Sequence, residues 1–261
     1  MPFSLTRRVA LLVLLVASML AVTPMLQARA QSATPSTTQP IPCTGLFGIE
    51  DPETGCLLII HAAPDAGPVD VYLDGEVAIT GAEFGILGDF LPVPAGAHQV
   101  QVTAAGGDPA DAVIDAEMTV EPGVAYEVAA VGLGGEYQLV QAIVDTTPVA
   151  PDEARVRVVH AGPDAPAVDV AVTGGDVLIS DLAYLQSSDV LTVPAGTYDL
   201  EVRPTGTADV AFALPGTVLE GGYTYSVFAI GLVADGTFGA IIVPIQLLSA
   251  AEAAQLATPV S

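Results

Sequence analysis

Ile60-His61-Ala62-Ala63-Pro64-Asp65-Ala66-Gly67-Pro68-Val69-Asp70-Val71 returns 99 positions later as Val159-His160-Ala161-Gly162-Pro163-Asp164-Ala165-Pro166-Ala167-Val168-Asp169-Val170. Working outward, Leu91-Pro92-Val93-Pro94-Ala95-Gly96 returns as Leu191-Thr192-Val193-Pro194-Ala195-Gly196 at a spacing of 100. Gly123-Val124-Ala125-Tyr126 and Gly222-Tyr223-Thr224-Tyr225 restore 99, as do Val131-Gly132-Leu133 and Ile230-Gly231-Leu232. Self-similarity at one long period marks a duplicated structural unit. The two units are about 95 residues each.

Within a unit the period is 2. Ala97-His98-Gln99-Val100-Gln101-Val102 alternates apolar and polar residues, and so does Tyr198-Asp199-Leu200-Glu201-Val202-Arg203. Val69-Asp70-Val71-Tyr72-Leu73 runs into Asp74-Gly75, a hairpin signal. Short β-rich runs near 57–62, 69–73, 76–80, 87–93, 97–104, 112–120, 124–132 and 137–145 are separated by Gly, Pro and Asp. A helical period appears only weakly, at Leu248–Leu256. The pattern predicts an all-β chain of two tandem immunoglobulin-like antiparallel β-sandwiches. The immunoglobulin core Trp and inter-sheet cysteine pair are missing. The expected organisation is a signal peptide at 1–30, a Ser/Thr/Pro-rich tether at 31–42, a first sandwich with a disulfide loop at 43–145, and a linker at 146–153. A second sandwich at 154–248 and a tail at 249–261 complete it.

Arg7-Arg8, the apolar run Val9–Val22 and Ala28-Arg29-Ala30 read as the three regions of a secretory signal. The apolar run is about fourteen residues, short of the roughly 20 that span a bilayer. No membrane span is therefore expected in the mature chain. Its 30 acids stand against Arg155, Arg157 and Arg203, a formal charge of −27. That charge repels nucleic acid and anionic membranes. The absence of lysine excludes Schiff-base and P-loop chemistry. Cys43 and Cys56 are the only cysteines. In an exported chain they predict one disulfide, worth roughly 3 kcal/mol for a loop of about 15 residues.

The opening motif, the hairpin after it and the later Val-Pro-Ala-Gly turn resemble the bacterial and archaeal family known as domain of unknown function 4397. The resemblance covers about 57–145 and 154–247. It implies an exported β-sandwich module, often in tandem, and it implies no activity. The copies differ at Tyr72, which is Ala171 in the second unit. A function needing that aromatic would reside in the first unit.

The repeated sets His61, Pro64, Asp65, Asp70 and His160, Pro163, Asp164, Asp169 are the site candidates. Read as chemistry, Asp65, Asp70, Asp164 and Asp169 offer hard oxygen ligands for calcium. Read as structure, Asp65 and Asp164 cap their own turn as Asx turns, bonding N–H groups two residues on, while the histidine donates across it. The second reading is preferred, with no catalytic residue and no cofactor assigned. His98 aligns with Tyr198 and reads as a strand-surface residue.

Several strands are apolar on both faces. Tyr126, Val128 and Ala130 oppose Ala129 and Val131, while Tyr225, Val227 and Ala229 oppose Phe228 and Ile230. Leu58 aligns with Arg157, and Cys56 with Arg155. The disulfide loop, through Leu46, Phe47 and Ile49, is expected to cover the first unit's outer edge. Phe228 and Ile230 then lie either inside their own sandwich or at an interface with the first unit or another chain. The expected function is a secreted or cell-surface, non-catalytic binding or structural module with an unidentified envelope or extracellular partner, or a second copy. The alternatives are an extracellular metal-dependent hydrolase using the His/Asp turns, and a calcium-stabilised spacer.

Overall fold

The computed structural model describes residues 43–47, 51–85, 88–249 and 251–252. The expected signal segment, the tether, Ile49 and most of the tail lie outside these residues. A short helix, α1 (Cys43–Phe47), precedes the strands. The first sandwich holds β1 (Thr54–His61), β2 (Val69–Leu73), β3 (Glu76–Ala82), β4 (Leu91–Pro94), β5 (Gly96–Ala104), β6 (Ile114–Val120), β7 (Ala125–Leu133) and β8 (Glu136–Ile143). The second holds β9 (Glu153–His160), β10 (Val168–Val172), β11 (Val177–Leu182), β12 (Leu191–Pro194), β13 (Gly196–Pro204), β14 (Phe212–Leu219), β15 (Tyr223–Ile230) and β16 (Gly239–Gln246). Sheet A has the order β4-β1-β7-β8 and sheet B the order β3-β2-β5-β6. Sheet C, β12-β9-β15-β16, and sheet D, β11-β10-β13-β14, repeat this arrangement.

The strands run antiparallel except for one pair in each sandwich. β1 is parallel to β7, with Leu57 opposite Tyr126, and β9 is parallel to β15, with Val156 opposite Tyr225. This departs from an all-antiparallel expectation. Alternation of apolar and polar residues fixes which face a side chain takes, but not the direction of a distant neighbour. β1 leaves sheet A for sheet B through the His-Ala-x-Pro-Asp turn, and its partner β7 arrives only after five intervening strands, four of them in sheet B.

The two faces of sheet A are both buried. Leu57, Tyr126, Val128 and Ala130 meet Val71, Val100, Val102 and Met118 of sheet B inside the first sandwich. The alternate residues Leu58, Ile60, Ala129 and Val131 meet Val159, Phe228, Ile230 and Ile245 of sheet C. The molecule is thus a four-layer stack, B-A-C-D. Phe228 is fully buried in the shared layer, worth roughly 1.5–3 kcal/mol of apolar burial. Equivalent positions from the two sandwiches enter it together: Ile60 and Val159, Ala129 and Phe228, Val131 and Ile230 all belong to one cluster.

Local devices hold this stack. Cys43 and Cys56 are bonded and both are fully buried in the shared layer. Phe47 stacks on Phe90 at 4.1 Å, and Leu46 packs beside it. Val149 of the linker also enters the shared layer. Leu185 adopts φ 69°, where its counterpart Gly85 has φ 79°. A left-handed leucine costs about 1–2 kcal/mol, offset here because its side chain packs on the shared layer. Tyr126 and Tyr225 accept the backbone N–H of Glu121 and Glu220 at 3.2 and 2.8 Å, pinning the corner before β7 and β15. These are the immunoglobulin-type tyrosine corners, and the repeated Gly-x-x-Tyr was their sequence signal.

Candidate functional site

β1 and β9 each end on a buried histidine because the chain must turn there from one sheet to the other. His61 Nε2–H donates to the Gly67 carbonyl at 2.7 Å, and Nδ1 accepts from the Ala63 N–H at 3.4 Å. His160 does the same with Pro166 at 2.9 Å and Gly162 at 3.3 Å. One nitrogen donates and the other accepts, so both rings are assigned neutral with the proton on Nε2. Burial also pushes the His160 pKa below its ordinary value. Pro64 and Pro163 sit half-buried within the turns that these histidines clamp.

The aspartates depart from the Asx-turn expectation. Asp65 accepts from the Gly134 N–H at 2.7 Å and the Tyr137 hydroxyl at 3.1 Å. Asp164 accepts from the N–H groups of Val233 and Ala234 at 2.8 and 2.9 Å. Neither bonds a group two residues on. The hairpin loop after β7 or β15 supplies N–H groups without ladder partners, and the carboxylate reaches across to them. Asp70 accepts from Gly81 at 2.6 Å and Gly106 at 2.7 Å; Asp169 accepts from Asp181 at 2.8 Å and Gly206 at 3.0 Å. The Gly106 bond, then the Gly81 bond, holds the Asp70 pKa down; Asp181, then Gly206, does so for Asp169. Each of these two side chains stitches a central strand to a bulged edge strand and a distant turn.

The candidates therefore do not converge. His61 clamps the crossover turn, Asp65 holds one hairpin loop, and Asp70 ties β2 to the edge strand β3 and to the turn at Gly106. Each carboxylate oxygen of these four aspartates accepts a hydrogen bond, and the positive ends of those donors oppose a cation there. Among the described residues, no three His, Cys, Asp or Glu side chains gather as a metal cluster. Tyr72 donates to the Gly107 carbonyl at 2.8 Å and is 8% exposed, so it too braces a turn. His98 spans the Pro94 carbonyl and Asp74, each at 2.7 Å. Tyr198 donates to Pro194 at 2.6 Å, so the two aligned residues brace the same corner.

Sequence reasoning missed the polar centre of the shared layer. Glu127 of β7 is fully buried and accepts from Arg157 of β9 at 2.7 Å. Arg157 also donates to the Ser226 hydroxyl at 3.1 Å and to the Ile143 carbonyl. Burial pushes the Glu127 carboxyl up, against the Ser226 and Arg157 contacts that pull it down. Glu127 Oε1 and Arg157 Nε are buried without a partner. The signal was a lone acid within Ala125-Tyr126-Glu127-Val128-Ala129 and an arginine at the position aligned with Leu58. Phe228 and Ile230 follow Ser226 along β15 and lie in the same shared layer.

Two sandwiches with duplicated cross-sheet clamps define a tandem immunoglobulin-like module. The family model described as domain of unknown function (DUF4397) matches residues 56–171 and 155–256. The chain belongs to that family. No curated protein matches the chain. Among solved structures, the chain is similar to the Bacillus anthracis TIE protein at 13% identity and a TM-score of 0.21, covering 76% of this chain and 32% of that one. The chain thus spans about a third of that protein's length. It is similar to a candidate cell adhesion protein from Parabacteroides distasonis at 11% identity and a TM-score of 0.19, covering 75% of this chain and 100% of that one. A leucine-rich repeat protein from Bacteroides thetaiotaomicron shows 13% identity and a TM-score of 0.20, with 76% and 26% covered. Likenesses this low carry no functional argument. Among the described residues, no helix is long and apolar enough to cross a membrane.

Proposed function

We propose that the chain is an exported, non-catalytic module that works outside the cytoplasm as a rigid binding or spacing unit. The observation that carries this reading is the use made of the repeated polar groups. His61, His160, Asp65, Asp70, Asp164 and Asp169 spend their polar atoms on fixing loops of their own sandwich. A group held this way positions backbone and is not poised as a base, nucleophile or metal ligand. The closed, buried disulfide supports an oxidising compartment. The acidic composition supports a neutral or basic partner. The face bearing Phe228 and Ile230 is occupied within the chain, so a partner would use another surface.

The test is expression of the whole chain in a bacterial host, followed by intact-mass measurement of protein from the medium and cell surface. The expected product begins at Gln31 and is two protons lighter than the dithiol. A cytoplasmic product retaining Met1 and two thiols overturns export. Millimolar calcium that raises Tm well beyond matched ionic strength overturns the metal-free reading.

A further inference from the structure

The two sandwiches share their strands but not their interiors. Between sheets A and B, one continuous cluster closes around Val100, Val102, Met118 and Val128, leaving a void of about 20 Å³. Between sheets C and D, the buried residues fall into two separate clusters. A void of about 50 Å³ runs there, lined by Val156, Val193, Leu200, Leu214, Val227 and Ile242. Each of these six is only half-buried. Of their counterparts, Leu57, Val93, Val100 and Val128 are 1–2% exposed, while Ala116 is half-buried and Gln141 is exposed.

Two exchanges remove bulk from the second interior, while Leu214, opposite Leu200, stands where the first has Ala116, opposite Val100. Leu139, opposite Ala130, is replaced by Ala240, opposite Ala229. Met118, opposite His98, is replaced by Thr217, opposite Tyr198. The lining offers no free hydrogen-bonding group. The Tyr198 hydroxyl is spent on the Pro194 carbonyl at 2.6 Å, and the Thr217 hydroxyl on Leu214 at 3.0 Å. An apolar void of this kind stays dry and takes apolar guests. A cavity of roughly 150 Å³ takes benzene, so a void of about 50 Å³ admits the last one or two carbons of an alkyl chain.

We propose that the void between sheets C and D is a binding slot for a short alkyl group carried by a neutral or cationic molecule. The lining selects hydrocarbon because a polar atom placed there would find no partner. The head-group preference follows from charge: 30 acids against 6 basic residues repel an anion approaching the slot. The first sandwich is the internal control, since Met118 and Leu139 fill the same place.

The test uses the whole chain with its methyl groups observed by NMR. The probes are butyltrimethylammonium, n-butanol, butyrate and, lacking the alkyl arm, tetramethylammonium. Saturable shifts are expected at the methyls of Val156, Leu200 and Leu214 with the first two probes. Butyrate should bind at least several-fold more weakly, and tetramethylammonium should leave these methyls unmoved. Thr217→Met with Ala240→Leu should weaken binding at least tenfold and raise Tm; Ala240→Val gives a milder fill should the double variant fail to fold. If no probe saturates while the filled variants melt higher, the void is a packing defect and the proposal falls. Equal binding by the filled variants, or equal binding of butyrate, also overturns it.

Discussion

Both sandwiches fasten the chain ahead of their first strand at the same position, by different chemistry. Cys56 of β1 and Arg155 of β9 are equivalent residues. Cys56 is bonded to Cys43 of α1. Arg155 donates to the Asp145 carboxylate at 3.0 Å and to the Thr147 and Pro148 carbonyls at 2.7 and 3.4 Å. The difference reflects what each lead-in has of its own. The stretch before β9 buries Thr146 and Val149, so hydrogen bonds suffice to align it. The five residues of α1 are too few to hold a helix alone, and a covalent link constrains the unfolded chain where packing cannot. The same contrast marks the shared layer, where the first sandwich supplies the buried acid Glu127 and the second the half-buried base Arg157.

The strongest way to break the comparison is Phe228→Ala. It should cost about 3–5 kcal/mol as a cavity in the layer common to both sandwiches. Urea unfolding, followed by probes in each sandwich, should show one transition shifted for both; a shift confined to the second would separate them. Arg157→Leu places the first sandwich's residue in the second and strands Glu127, at about 3–4 kcal/mol. Adding Glu127→Ser, the exchange in the other direction, should recover most of that loss. If it does not, Arg157 acts through packing of its stem.

Cutting the two fasteners sharpens the contrast further. Cys43→Ala with Cys56→Ala should cost roughly 3 kcal/mol, against roughly 1 kcal/mol for Arg155→Ala, whose partner is part-exposed. Equal losses in thermal unfolding would show that the covalent bond adds nothing beyond packing. The smallest effect is at the corner braced by His98 in one sandwich and Tyr198 in the other. The hydrogen bond to Asp74 raises the His98 pKa above its ordinary 6.5, and His98 lowers that of Asp74 below its ordinary 3.8. A raised histidine contributes fully below 6.5 and loses its contribution as pH rises through the folded pKa. The depressed aspartate contributes above 3.8 and loses it as pH falls through the folded pKa. The pair therefore stabilises most between those values. His98→Tyr should flatten the loss above 6.5, read as Tm against pH; an unchanged slope would remove His98 from the account.

The repeat, the strand positions and the disulfide were legible because each is written locally. Strand bounds such as 69–73 and 97–104 differ from the observed Val69–Leu73 and Gly96–Ala104 by a residue or less. The parallel pairing of β1 with β7 was not legible, since two apolar strands some 60 residues apart carry no mark of direction. Nor was the true partner of Asp65, whose turn sequence fits a local cap while the loop around Gly134 competes for it in space. Glu127 was overlooked because alternation was counted on the apolar residues around it. The cluster of His and Asp was legible as important. Its role was not, because spacing along the chain does not say which backbone groups lack a partner.

The two ends of the described unit are tied to equivalent turns. The Cys43 N–H donates to Gly123 at 2.7 Å, and the Leu247 N–H donates to Gly222 at 3.0 Å. Both residues lie in the layer between sheets A and C. Tension applied at these two points would therefore run through the inner sheets and their contact, and the buried disulfide would shunt it past the segment between Cys43 and Cys56. Sheets B and D stand outside that load path. Their outer faces keep their shape under a pull that strains the centre, as the flanges of a beam remain free when only its web is gripped.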